Sequence, residues 1–167
     1  MSDEANQVFT IIVLLFALAL FLLPFFAFMV YVFYQNSKRK RIRKRIMSRV
    51  GQFANNNRWQ PVRYASQQRF KSLFKIFPWE GAGILVVAPG SLLFFGETNS
   101  GVPVELQLTP QNSRAAYLGK VPWPNGAVSW IEFETPSGKH YFTSETGAFI
   151  IGSHRSTKAI YDAIARM

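Results

Sequence analysis

Residues 8–34 carry no charged side chain, and residues 11–33 form an almost unbroken apolar run of 23 residues. As a helix rising ~1.5 Å per residue, that run spans about 34 Å, enough for a hydrocarbon core of roughly 30 Å with some tilt. A buried helix of a soluble protein is the first alternative, but the remaining chain is too small to wrap such a rod on every side. A cleaved signal peptide is the second. It calls for a basic leader and an apolar run of roughly 7–15 residues ending in small side chains. Here the leader is Met-Ser-Asp-Glu and the run ends in Tyr-Val-Phe-Tyr. The segment reads as a retained transmembrane helix over 8–34, behind a short extracytoplasmic tail, 1–7.

The flanks predict orientation. Asp3 and Glu4 precede the span, and Lys38, Arg39, Lys40, Arg41, Arg43, Lys44 and Arg45 follow it. The positive-inside rule places the N-terminus outside and residues 35–167 in the cytoplasm of a cell membrane. Tyr31 and Tyr34 fall where interfacial aromatics belong. Phe16, Phe21, Phe25, Phe26, Phe28 and Phe33 crowd the span, which has no Gly and no small-xxx-small pair. Self-dimerisation through this helix is therefore not favoured. Two readings of the Phe-rich surface stand: lipid contact, or packing on a larger membrane protein complex with its bound lipids or pigments.

The net charge of +10 invites a nucleic-acid reading, but its location argues against one. Residues 35–50 hold eight Lys/Arg and residues 51–79 five, with no acid in either stretch. From Glu80 onward six basic residues face seven acidic ones, so no phosphate-tracking groove is expected there. There is no Cys, which removes disulfide scaffolds, thiolate metal sites and Cys nucleophiles.

Residues 35–79 read as a basic amphipathic juxtamembrane segment and connector. Over 38–53, Ile42, Ile46, Val50 and Phe53 make an apolar stripe, with cations on the other faces. Such a helix can lie in the headgroup region, stripe down, so Lys38, Arg39, Lys40, Arg41, Arg43, Lys44, Arg45 and Arg49 are candidate contacts to anionic lipid. A mere topology signal is the equal alternative. A second short amphipathic helix is expected over 64–77, with Phe70, Leu73, Phe74 and Phe77 on one side, ended by Pro78.

Beyond Gly81 the pattern becomes short β-rich runs: 83–87, 91–95, 102–108, 115–121, 128–135, 139–143 and a last one at 149–152, separated by turn residues. In 128–135 one slip of register is expected. Residues 156–167 then show helical period, capped by Ser153 or Ser156. The fold class expected is α+β: antiparallel strands closed by a C-terminal helix, with a domain over 80–167.

The run ILVVAPGSLLFFG over 84–96, followed by VELQL over 104–108 and the final helix, resembles a pleckstrin-homology-like domain of the GRAM or bacterial type. That resemblance implies a small antiparallel β-sandwich or barrel, of six or seven strands by the pattern above, binding lipid headgroups, peptides or proteins, without catalysis. The Ala88-Pro89-Gly90 link lacks the basic cluster of phosphoinositide-binding members.

No catalytic constellation, metal set or cofactor motif is apparent. His140 and His154 have no ligand partners at suitable spacing, the loop 96–101 lacks the Lys-Ser/Thr of a phosphate loop, and Glu132 and Glu134 share an exposed strand face. Trp59, Trp79 and Trp123 are candidate interface anchors. The expected function is a non-enzymatic, membrane-anchored accessory or assembly subunit docking on a larger membrane complex. The rival is a module that binds or senses anionic lipid.

Overall fold

The computed structural model describes residues 3–146 and 152–165. The chain divides into two compact units, Met1–Ser37 and Lys38–Met167. Helix α1 (Asp3–Asn55) is continuous, so the expected transmembrane and juxtamembrane helices are one element. Pro24 lies inside it without ending it.

In the first unit, α1 is long and apolar enough to cross a membrane, and none of its most apolar window is buried inside the structure. A core helix of a soluble domain would be covered, so the chain fits a single-pass membrane protein. Tyr31 and Tyr34 are both exposed.

The second unit is α+β. Among the described residues it has seven strands, β1 (Arg58–Ser66), β2 (Gly81–Ala88), β3 (Ser91–Thr98), β4 (Pro103–Leu108), β5 (Arg114–Val121), β6 (Val128–Thr135) and β7 (Gly138–Ser144). Two helices join them, α2 (Gln67–Lys71) and α3 (Ser153–Ile164). All pairings are antiparallel, in the order β4-β3-β2-β1-β7-β6-β5, and the sheet is not closed. The expected strand at 149–152 lies largely outside the described residues.

Three apolar clusters hold this unit. On the inner face Val62, Leu85, Phe94, Ile131, Phe133 and Phe142 pack beneath Ile160 of α3. Gly83 and Gly96, paired across β2 and β3, make room for the Phe94 ring: a Cβ on either would come within 2.7 Å of that ring or closer. On the outer face Ile42 and Ile46 of α1 pack on Ile84 and Val86. Beside them, Phe70 and Phe77 cover Trp79, Trp130 and Tyr141. Covering both faces is why the central strands do not alternate: Val62, Arg63, Tyr64 and Ala65 are all buried.

Four expectations are corrected here. From Ile42 to Val50 the stripe of the basic helix faces protein, not headgroups, while Phe53 stays exposed: Ile42 is fully buried against the sheet, because β2 and β3 present an outer apolar face that would otherwise be wet. Residues 64–77 are not one helix. Tyr64 and Ala65 belong to β1, where pairing to β2 and β7 outweighs helical spacing. Ser66 then caps the five-residue α2 by accepting from the Arg69 amide. The compact unit Lys38–Met167 thus takes in the connector as well, and with it all nineteen Lys/Arg against seven acids, so the unit as a whole is basic although residues 80–167 alone hold six against seven. Finally, α3 starts after Gly152, in the left-handed region at φ 79°, with no side-chain cap from Ser153 or Ser156. The register slip occurs on β5, between Tyr117 and Gly119, opposite β6.

The covered stripe has a measurable consequence. Ile42→Ala should lower the unfolding free energy by about 2–5 kcal/mol, the usual cost of such a cavity. Lys40→Ala, one turn-face away in solvent, should change it by less than about 0.5 kcal/mol. Denaturant unfolding of the detergent-solubilised chain, followed by Trp fluorescence, compares the two.

Candidate functional site

The densest concentration of unusual side chains in the second unit is a buried charge cluster joining the two outer covers. Arg39 and Arg43, one turn apart on α1, both engage Glu145, just past β7. Arg39 Nε donates to Oε1 at 3.0 Å and Arg43 Nη1 pairs with Oε2. Glu145 is held by its own amide, which donates to the Pro61 carbonyl at 3.0 Å. Arg63, on the outer face of β1, lies over the Trp79 ring at 4.1 Å, and Arg39 reaches the same ring at 5.8 Å. Burial, then the nearby Arg39 and Arg43 guanidiniums, lower the Arg63 pKa to about 10 against the opposing pull of Glu145. Arg63 is still a cation at neutral pH. The cluster thus gathers three guanidiniums, one described carboxylate and an indole face. These serve to fix α1 on the sheet.

The eight candidate headgroup contacts therefore separate. Arg39 is buried, Arg43 is mostly so, Lys38 donates to the Asn99 carbonyl at 2.6 Å, and Arg45 pairs with Glu97 at 2.6 Å. Lys40, Arg41, Lys44 and Arg49 remain on the exposed face of α1 with Arg45. Among the candidate anchors, Trp123 is 79% exposed and Trp59 partly so, but Trp79 is buried at 2%. Trp79 is a core residue, because Phe77 stacks on it and the two guanidiniums need its face.

The histidines are structural in their contacts. His154, at the first turn of α3, bonds Ser129 Oγ at 2.7 Å and Tyr117 Oη at 3.0 Å, tying the helix to β5 and β6. Ser129 is fully buried, so this Ser–His pair offers no accessible nucleophile. His140 stacks on Tyr64 and bonds its hydroxyl, and burial lowers its pKa. Lys139 bridges Glu132 at 2.7 Å and Glu134 at 3.9 Å, so these acids form a surface ion-pair network. No group of three or more His, Cys, Asp or Glu capable of holding a metal occurs among the described residues.

One cleft stands apart from these clusters. A half-open apolar space of about 220 Å³ lies between the start of β3, the end of β4, the start of β5 and the last turn of α3. Leu92, Leu108, Phe133, Tyr161 and Ile164 line it, with Ser113 beside them. It is drawn from elements far apart in sequence, and no local pattern announces it. Comparison with protein-family models, with curated proteins and with solved structures finds no match to this chain.

Two outcomes test the charged groups. Glu145→Gln leaves buried guanidiniums without that carboxylate and should cost about 3–5 kcal/mol of stability. His140 has a folded pKa below its unfolded value of 6.5, so the unfolded state binds protons first on acidification. Its contribution is full above the unfolded pKa and falls as pH drops toward the folded pKa. The melting temperature should therefore decline between about pH 7 and 5, less steeply in His140→Gln.

Proposed function

We propose that this chain is a non-catalytic, single-pass membrane-anchored accessory subunit whose cytoplasmic, pleckstrin-homology-like domain docks on a larger membrane protein complex. The observation that carries the reading is the apolar cleft between the two free edges of the sheet. An apolar cavity of ~150 Å³ holds benzene, so the cleft has room for a phenyl or branched aliphatic side chain of a partner. It sits at the Ser91 end of β3, whereas Lys38 is bonded to Asn99, just beyond the other end. Eight residues at ~3.3 Å each separate the two by about 26 Å. Within the second unit, the cleft and Lys38 thus lie at opposite ends of β3.

Seven antiparallel strands followed by a helix on the inner face support the pleckstrin-homology-like assignment. So does the true β1–β2 link, residues 67–80, which carries Arg69, Lys71 and Lys75 where Ala88-Pro89-Gly90 turns out to join β2 to β3. The excess of Lys and Arg after residue 37 supports the cytoplasmic placement. The exposed cations Lys40, Arg41, Lys44 and Arg49 favour a second reading, recognition of anionic lipid.

Ser113→Trp would fill the cleft mouth without reaching the core. Extracted in mild detergent and sized, the native chain should elute in a large assembly and the variant as a much smaller species. A native chain that elutes alone at native abundance overturns the docking reading, and salt-sensitive binding of the variant to anionic vesicles would then favour the lipid one.

A further inference from the structure

The link between α2 and β2 turns apolar side chains in two directions. Phe70 stacks on Tyr141 at 3.8 Å and Phe77 on Trp79 at 5.1 Å, both inward. Leu73, Phe74 and Ile76 point out, at 63%, 95% and 71% exposure. Trp123, in the β5–β6 link, is 79% exposed. The two links are fastened together: Lys75 Nζ donates to Asn125 Oδ1 at 2.6 Å, and a Cβ on Gly126 would lie 3.2 Å from the Pro78 ring. The same ammonium bonds the carbonyls of Arg69 and Phe70 at 2.9 and 2.8 Å, which braces the base of the loop. Four large apolar side chains are thus held outward on a stiff mount, an arrangement that costs hydration free energy unless something covers it.

We propose that Leu73, Phe74, Ile76 and Trp123 form a second membrane contact, inserting into the headgroup and upper acyl region of the bilayer. This rests on the single-pass reading of α1. Within the second unit the loop belongs to the end at which the chain arrives: Phe77 stacks on Trp79, Trp79 lies against Arg39, and the Asn99 amide bonds the Glu80 carbonyl while Lys38 takes the Asn99 carbonyl. Its charge suits an anionic surface. Residues 67–79 contain Arg69, Lys71 and Lys75, residues 119–131 contain Lys120, and neither stretch holds an acid. A Trp beside Leu, Phe and Ile is the side-chain set of an interfacial contact. The anchor already confines the domain to the bilayer, so the loop adds orientation at little entropic cost. An inserted loop holds the domain in one attitude on the membrane.

The chain has no cysteine, so Phe74→Cys and Gln111→Cys each supply a single labelling site. Phe74 is almost wholly exposed and Gln111 lies in the β4–β5 link beside the cleft, so neither change touches the core. Each full-length variant is labelled with an environment-sensitive dye and reconstituted into vesicles of zwitterionic and anionic phospholipid. The expected result is a blue-shifted dye at position 74, quenched several-fold more than that at 111 by lipids spin-labelled near the headgroup, and several-fold less by iodide. Equal quenching at the two positions overturns the proposal. So does a dye at 74 shielded from iodide yet untouched by lipid quenchers, which assigns the patch to a protein. The anchor is judged separately, by whether the same samples resist alkaline carbonate extraction.

Discussion

The carboxylate of Glu145 is the fixed point about which the second unit is arranged. A buried carboxylate and buried guanidiniums are tolerated only together. Glu145 takes both Arg39 and Arg43 from one face of α1, and the adjoining stripe of that face is Ile42 and Ile46. Apolar burial supplies the driving force for laying α1 on β2 and β3, but it would permit slippage by a turn. The ion cluster does not, because a shift of one turn would strand a guanidinium away from the carboxylate and from the Trp79 ring. Charge thus sets register where hydrophobic contact sets affinity.

From that register follows a division along the strands. One end of β3 gathers Lys38, Asn99, Glu80 and Trp79, together with the two links that push apolar side chains outward. The other end opens into the apolar cleft under the last turn of α3. Between them the sheet is covered on both faces and offers little free surface. The side chains that a partner or a bilayer could use are at the ends.

Much of the sheet was legible in the sequence because β2 to β7 are short, apolar and bounded by Gly, Pro and Asn turns. The alternation of Val104, Leu106 and Leu108 against Glu105 and Gln107 reports β4 directly. β1 was missed for a physical reason: a central strand covered on both faces has no alternation to read, and Arg63 at its centre looks like surface. Its Pro61 also argues against a central strand, but Pro61 lies one residue before the β7 ladder begins at Val62, where its carbonyl still accepts the Glu145 amide and only the proline's own missing donor is lost. The spacing of Ile42, Ile46 and Val50 marks a covered face on α1, and the cover is the sheet and not the headgroup layer. Amphipathicity states that a face is covered and is silent on what covers it. The cleft and the Arg–Glu–Trp cluster assemble residues separated by up to 106 positions, and no window of sequence contains them.

The open sheet has one more consequence. Chains confined to a membrane meet one another in two dimensions at high local concentration, where two exposed strand edges invite runaway pairing. Here β4 begins at Pro103 and turns Glu105 and Gln107 to solvent, and β5 carries Arg114, Lys120 and an irregularity at Tyr117 to Gly119 that disturbs its ladder. The borders of the sheet are thereby poor templates for a neighbour's backbone. A protein built this way can stay laterally crowded without polymerising, and its specific contacts are left to side chains instead of to strand addition.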